Sequence, residues 1–194
     1  MTRLAGTDGV GVVSSRIPQQ PAAESGPHRT ELDARLSAEL ASVVSGARRR
    51  ALRDGDKQID TAHLLHSLLE SDPEVRAVFD SGPQVARLLG YLVQRSIGYG
   101  LRWQGTVEDS GAVPMVAEAG WSPAAAGAME EACEWAGLRG DERARGVDLL
   151  AAVIVDPQSR AVEVLGRAGV DAGVLLVRIQ AGFQEQVGGG DMGS

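Results

Sequence analysis

A chain with one cysteine, Cys133, cannot close a disulfide within itself or build a thiolate cluster around a metal. Aromatic residues make up only 4% of the sequence, so the core must be built from aliphatic side chains and alanine. Basic residues are outnumbered, 19 Lys and Arg against 26 Asp and Glu, and the net charge is −7. Phosphate backbones attract basic surfaces, so nucleic acid is not an expected partner. No apolar run approaches the roughly 20 residues that a membrane span requires, and no membrane contact is expected. The start of the chain lacks the charged-then-apolar order of a secretory signal, which fits a cytoplasmic location. No Gly-x-x-x-x-Gly-Lys-Ser/Thr string is present to cradle a nucleotide phosphate.

What the sequence does contain is an internal repeat. Leu36, Leu40, Val43, Val44, Ala47, Ala51 and Gly55 recur 85 positions later as Trp121, Ala125, Ala128, Met129, Ala132, Ala136 and Gly140. Further on, Asp72-Pro73 returns as Asp156-Pro157 at an offset of 84. Hydrophobic content of 43% supports a packed core. The Ala- and Leu-rich composition favours helix throughout. The predicted fold is all-α, a tandem duplication of a four-helix unit packed as one eight-helix globule.

Apolar spacing at steps of three and four places a first helix at about Ser37–Arg53, and its copy at about Pro123–Arg139. Ser37 and Ser122 are the expected N-caps, and Gly55 and Gly140 the terminators. Leucine-rich second helices follow, capped at Asp60 or Thr61 in the first copy and broken by Asp72-Pro73 and Asp156-Pro157. Short third helices are expected near Glu74–Asp80 and Ser159–Arg167, and fourth helices near Gln84–Ser96 and Ala172–Phe183. The domain then spans 30–183, with repeat one at about 36–97, a linker at 98–120 and repeat two at about 121–183. Residues 1–29 and 184–194, rich in Gly, Ser, Pro and Gln, are expected to be disordered tails.

The helix starts Leu36-Ser37 and Trp121-Ser122-Pro123, the stretch Ile59-Asp60-Thr61-Ala62-His63-Leu64-Leu65 and the duplication itself carry a resemblance. The pattern resembles the double-repeat Clp amino-terminal domain of the ClpA, ClpB and ClpC unfoldases. That resemblance covers about Leu36 to Phe183. It implies a binding module that meets peptides, Clp adaptors or peptide-like antibiotics, and contact with a Clp unfoldase or peptidase. Without a phosphate loop, the chain is expected to act as a stand-alone, non-enzymatic domain with no cofactor.

ClpC-type domains carry a Gly-Thr-Glu-His element at the start of each second helix, whose glutamates help read phosphoarginine. Here the copies read Asp60-Thr61-Ala62-His63 and Arg145-Gly146-Val147-Asp148. Carboxylates pair with guanidinium groups through two parallel hydrogen bonds, and neither Ala62 nor Val147 offers one. The resemblance therefore transfers the fold without phosphoarginine reading at those positions. It also implies that an aromatic at Trp121 borders a surface groove for adaptors and cyclic-peptide antibiotics, with a hydrophobic staple as the plainer role. Trp103 in the linker either lines a groove or pins the linker to the core.

The candidate ligand-binding set is therefore Asp60, Thr61, His63, Trp103, Trp121, Ser122, Arg145 and Asp148, an asymmetric surface centred near Trp121. His63 and His66 stand three apart but lack an obvious third ligand, so no metal is expected. Arg48-Arg49-Arg50 with Arg53 reads as a solvated face near a helix C-terminus. Cys133, beside Glu130, Glu131 and Glu134, has no paired base, and no catalytic residue is expected.

Overall fold

The computed structural model describes residues 27–96, 108 and 120–188. Among them the chain forms nine helices and no extended strand. Repeat one holds α2 (Ala38–Asp54), α3 (Thr61–Ser71), α4 (Pro73–Ala77) and α5 (Gly82–Ser96). Repeat two holds α6 (Pro123–Arg139), α7 (Gly146–Val155), α8 (Arg160–Arg167) and α9 (Ala172–Gly188). A further helix, α1 (Pro27–Ala34), precedes them.

The helix boundaries follow local chemistry. Ser37 Oγ accepts the Leu40 N–H at 3.1 Å, and Ser122 Oγ accepts the Ala125 N–H at the same distance. Caps of this kind stabilise a helix by about 1 kcal/mol each. Gly55 and Gly140 end α2 and α6 at φ of 75° and 84°, a left-handed conformation that glycine adopts without a Cβ clash. Asp72 then starts α4, its carboxylate accepting the Glu74 and Val75 N–H groups at 2.8 and 3.1 Å.

The second helices are the centre of the molecule. Every residue from Thr61 to Leu69 in α3 is buried, as is every residue from Gly146 to Ile154 in α7. A helix with no wet face has neighbours on all sides. α2 covers α3 and α6 covers α7, while the short helices are exchanged: α4 packs on α7, and α8 on α3 and α5. One exchange is close enough to dictate a residue. A Cβ on Gly146 would lie 2.9 Å from Asp72 Cγ and 3.1 Å from Val75 Cγ2, so α4 approaches α7 over a bare backbone.

Two isolated bridges lock the repeats together. Leu36 pairs with Ala144, and Trp121 pairs with Ile59. These are corresponding pairs with the repeats interchanged. The hydrogen bonds obey the same rule: Ser37 donates to the Ala144 carbonyl at 2.9 Å, and Ser122 to the Ile59 carbonyl at 2.8 Å. The backbone thus has an approximate twofold relation between its halves.

The structure changes the predicted boundaries at two places. α1 extends over 27–29, which the sequence reading gave to the leading tail, and 1–26 lie outside the described residues. α9 runs on to Gly188, beyond the expected end at Phe183. Of the linker 98–120, only Glu108 and Gly120 are among the described residues. No helix among the described residues is long and apolar enough to cross a membrane.

Candidate functional site

The positions that would read a ligand lie at the N-termini of α3 and α7, and the two copies are chemically unlike. In repeat one, Asp60 caps α3 by accepting the His63 N–H at 2.9 Å, while His63 Nδ1 accepts the Asp60 N–H at 3.1 Å. His63 Nε2 lies 3.1 Å from Asp56 Oδ2. The other oxygen of Asp60 meets two guanidinium groups, Arg160 at 2.6 Å and Arg95. Burial opposes ionisation of Asp60, but the hydrogen bonding from His63 and the charge of Arg95 outweigh it. The carboxyl is held well below the usual carboxylate range. Asp56, Asp60 and His63 bring ligand-type atoms within 4.8 Å of one another. Arg95 and Arg160 already supply the positive charge there, which disfavours a metal ion.

Beside this cluster lies a residue that sequence reasoning passed over. Glu108 is 4% exposed. One oxygen accepts the Thr61 N–H at 2.8 Å and the Ser122 hydroxyl at 2.9 Å. The other accepts the Arg160 N–H at 2.7 Å and the Thr61 hydroxyl. The Thr61 oxygen in turn accepts the Ala161 N–H at 3.1 Å. A single linker carboxylate therefore joins the starts of α3, α6 and α8, where helix dipoles favour negative charge.

In repeat two the N-cap is Arg145. Asp148 reaches back to accept the Arg145 N–H at 2.8 Å and also takes the Arg139 guanidinium at 2.5 Å. The Arg145 side chain turns away to Glu74 of α4 at 3.1 Å. Arg139 stacks 4.1 Å above the Phe183 ring, with Arg145 5.8 Å from its centroid. Between α4, α7 and α9 a groove of about 250 Å³ stays open, lined by Glu74, Ala77, Val78, Val147, Arg178, Ile179, Gly182 and Phe183. Val147, at the position of the family's glutamate, is part of that lining.

The structure places seven of the eight candidate residues, and Trp103 lies outside the described residues. Asp60, Thr61, His63 and Ser122 join around α3 and Glu108 as buried capping and ion-pairing groups. Arg145 and Asp148 lie together at the start of α7, beside the groove. Trp121 is placed in the plainer of its two expected roles. It is 6% exposed, belongs to the core and occupies the position of buried Leu36 in the other repeat. An open groove lies along α4, α7 and α9.

Cys133 is buried, and burial pushes its thiol above the usual range, the opposite of what activates a nucleophile. Arg50 pairs with Glu70 and lies 3.3 Å from His66 Nδ1, so part of the arginine-rich face is tied to α3.

No family model matches the sequence, and no curated protein matches it. Solved structures do. The N-terminal domain of the caseinolytic protease associated chaperone ClpD from Arabidopsis thaliana superposes with a TM-score of 0.58 at 18% identity, covering 77% of this chain and 95% of that one. The Hsp104 N-terminal domain from Candida albicans gives 0.55 at 12% identity, covering 74% and 88%. A structure described as part of a malarial protein secretion system gives 0.55 at 13% identity, covering 78% and 96%. The chain has the fold of the Clp amino-terminal domains.

Proposed function

We propose that the chain is a non-enzymatic module that binds peptide segments or Clp adaptors and thereby modulates Clp-dependent proteolysis, or sequesters peptide-like ligands such as cyclic-peptide antibiotics. The observation that carries this reading is the open groove over α7, on a fold shared with N-terminal domains of Clp-type chaperones. A preformed concave surface with apolar lining and a few polar groups at its edge suits an apolar anchor. The mechanism is occupancy: the module holds a ligand that an unfoldase would otherwise engage. Fluorescent cyclic peptides and adaptor peptides, titrated into the chain with and without an unfoldase's own N-terminal domain, test it. Saturable binding with mutual competition is expected. Absence of binding to the whole panel defeats the proposal.

A second reading, direct contact with the unfoldase or its peptidase with residues 1–29 as a tether, draws on Val174 and Val177. These stand 47% and 65% exposed, three residues apart on α9. A pull-down with residues 1–26 deleted separates the two: loss of the partner favours the tether, and unchanged capture favours the groove.

A further inference from the structure

We infer that the groove over α7 accepts one large, uncharged apolar side chain from a partner peptide, and that Gly182 is the residue that leaves it open. The inference rests on the peptide-binding reading above and narrows it to an anchor chemistry.

The floor is apolar: Ala77 and Val78 from the end of α4, Val147 from α7, Ile179 and Phe183 from α9. The banks carry charge, but each cation faces an acid from the other repeat. Arg145 pairs with Glu74 at 3.1 Å, and Arg178 pairs with Asp80 at 2.5 Å. A charged anchor entering the groove would lose its hydration and find those counter-ions already engaged, an unfavourable exchange. An uncharged apolar anchor meets no such cost and gains about 25 cal/mol for each Å² of apolar surface removed from water. Val147 reinforces this choice, because a valine cannot form the two-pronged contact that a guanidinium or phosphoguanidinium group requires.

Size points the same way. The groove holds about 250 Å³. Sites that enclose a drug-sized molecule run to roughly 300–1,000 Å³. The space suits a single side chain of a longer segment, the geometry of an anchor residue in a pocket.

Charge complementarity identifies the rest of the partner. The bank from repeat two is cationic, through Arg145 and Arg178, and the bank from repeat one is anionic, through Glu74 and Asp80. These four side chains are between 29% and 60% exposed. Because these pairs stay solvated at the rim, charges flanking the anchor can join them without losing their own hydration, and the matching partner is a peptide whose apolar anchor is flanked by one acidic and one basic residue.

Gly182 differs from its counterpart in the first repeat. Matching buried Leu88 and Leu92 of α5 with Leu175 and Ile179 of α9 aligns Arg95 with Gly182. In repeat one the Arg95 side chain is 9% exposed and reaches Asp60. In repeat two no side chain is present, and a Cβ built on Gly182 meets nothing within 4 Å. A larger residue fits there without a clash and occupies the space bordering the groove.

The test uses the whole chain and four synthetic peptides: Ac-Glu-Phe-Lys-NH2, Ac-Lys-Phe-Glu-NH2 and their Phe→Ala counterparts. Free phosphoarginine is the charged competitor. Methyl NMR of Val78, Val147 and Ile179 reports the location, and titration gives Kd. At least one Phe peptide should shift these methyls and bind about tenfold or more tightly than its Ala counterpart. Gly182→Trp should weaken that binding about tenfold or more, while Gly182→Ala should retain it, with Tm showing that both variants fold. Equal affinity of Phe and Ala peptides, equal affinity of wild type and Gly182→Trp, or displacement by phosphoarginine at these methyls would each overturn the inference. An immobilised peptide array distinguishes the two levels. Array binding that survives Gly182→Trp removes the groove inference and leaves the peptide-binding module standing, whereas an array that wild type ignores removes both.

Discussion

The starts of α3 and α7 occupy corresponding places in a duplicated backbone, yet one is filled and the other is open. At α3, Asp60 gathers Arg95, Arg160 and His63 into a buried ion-paired cluster. At α7, Arg145 turns outward to Glu74, Val147 lies beneath, and Gly182 contributes no side chain. The difference teaches that duplication conserved the parts that make the fold, namely caps, terminators, cross-repeat bridges and central helices. The residues at the starts of the two central helices differ: in repeat one they form a buried ion-paired fastener, and in repeat two they border a groove.

The strongest way to break this comparison is to remove the acid from the fastener. Asp60→Ala removes the buried carboxylate that Arg160 and Arg95 share, while Arg95 keeps Asp56 at 3.4 Å, and the expected loss is about 3 kcal/mol in urea unfolding. The matching change Arg145→Ala removes a partly exposed pair and should cost less than about 1 kcal/mol. Equal costs would mean that the two sites are not the fastener and the open surface described above.

Glu108 comes next. Glu108→Gln keeps the shape but points an amide N–H₂ group at backbone N–H and hydroxyl donors. About 2–3 kcal/mol of stability should be lost in denaturant unfolding. Because Glu108 joins α3, α6 and α8, hydrogen exchange should quicken at the starts of all three. An effect confined to α6 would show that the carboxylate does not join the repeats.

A smaller effect separates α3 from α7 by pH. Burial and the Arg50 guanidinium hold His66 down at about 4, against about 6.5 for an ordinary histidine. Its counterpart 85 positions on is Ala151. Between these two values the unfolded chain takes up the proton more readily than the folded one. Stability contributed by His66 is therefore complete above about pH 6.5 and declines as pH falls toward 4. Asp60 acts in a lower window, its contribution present above the ordinary aspartate value and lost as pH falls below it. His66→Gln should flatten the unfolding free energy between pH 6.5 and 4 and leave the steeper acid limb intact. An unchanged slope in that window would contradict the account of His66.

Much of the fold was legible because it is local. The caps Ser37 and Ser122, the terminators Gly55 and Gly140 and the breaks at Asp72-Pro73 and Asp156-Pro157 act through neighbours a few residues away, and each stands where the pattern placed it. Helix α1 escaped because its eight residues combine Pro, His, Arg and Thr without a clear apolar period. Trp121 is legible in part, because it repeats Leu36 and both positions are buried in the core. Glu108 carried none, since a lone carboxylate in a linker reveals nothing of partners 47 and 52 residues away. The groove was hidden for the same reason. It forms where Val78 and Arg178, 100 positions apart, come into contact.

The central claim is that one half is closed and the other open to a peptide anchor. The most direct measurement is a chemical-shift map of the whole labelled chain titrated with Ac-Glu-Phe-Lys-NH2 and Ac-Lys-Phe-Glu-NH2. Shifts concentrated at Ala77, Val78, Val147, Ile179 and Phe183, with Asp60–Leu64 unmoved, are the predicted result. Shifts centred on Ala62, or equal shifts in both halves, would contradict it.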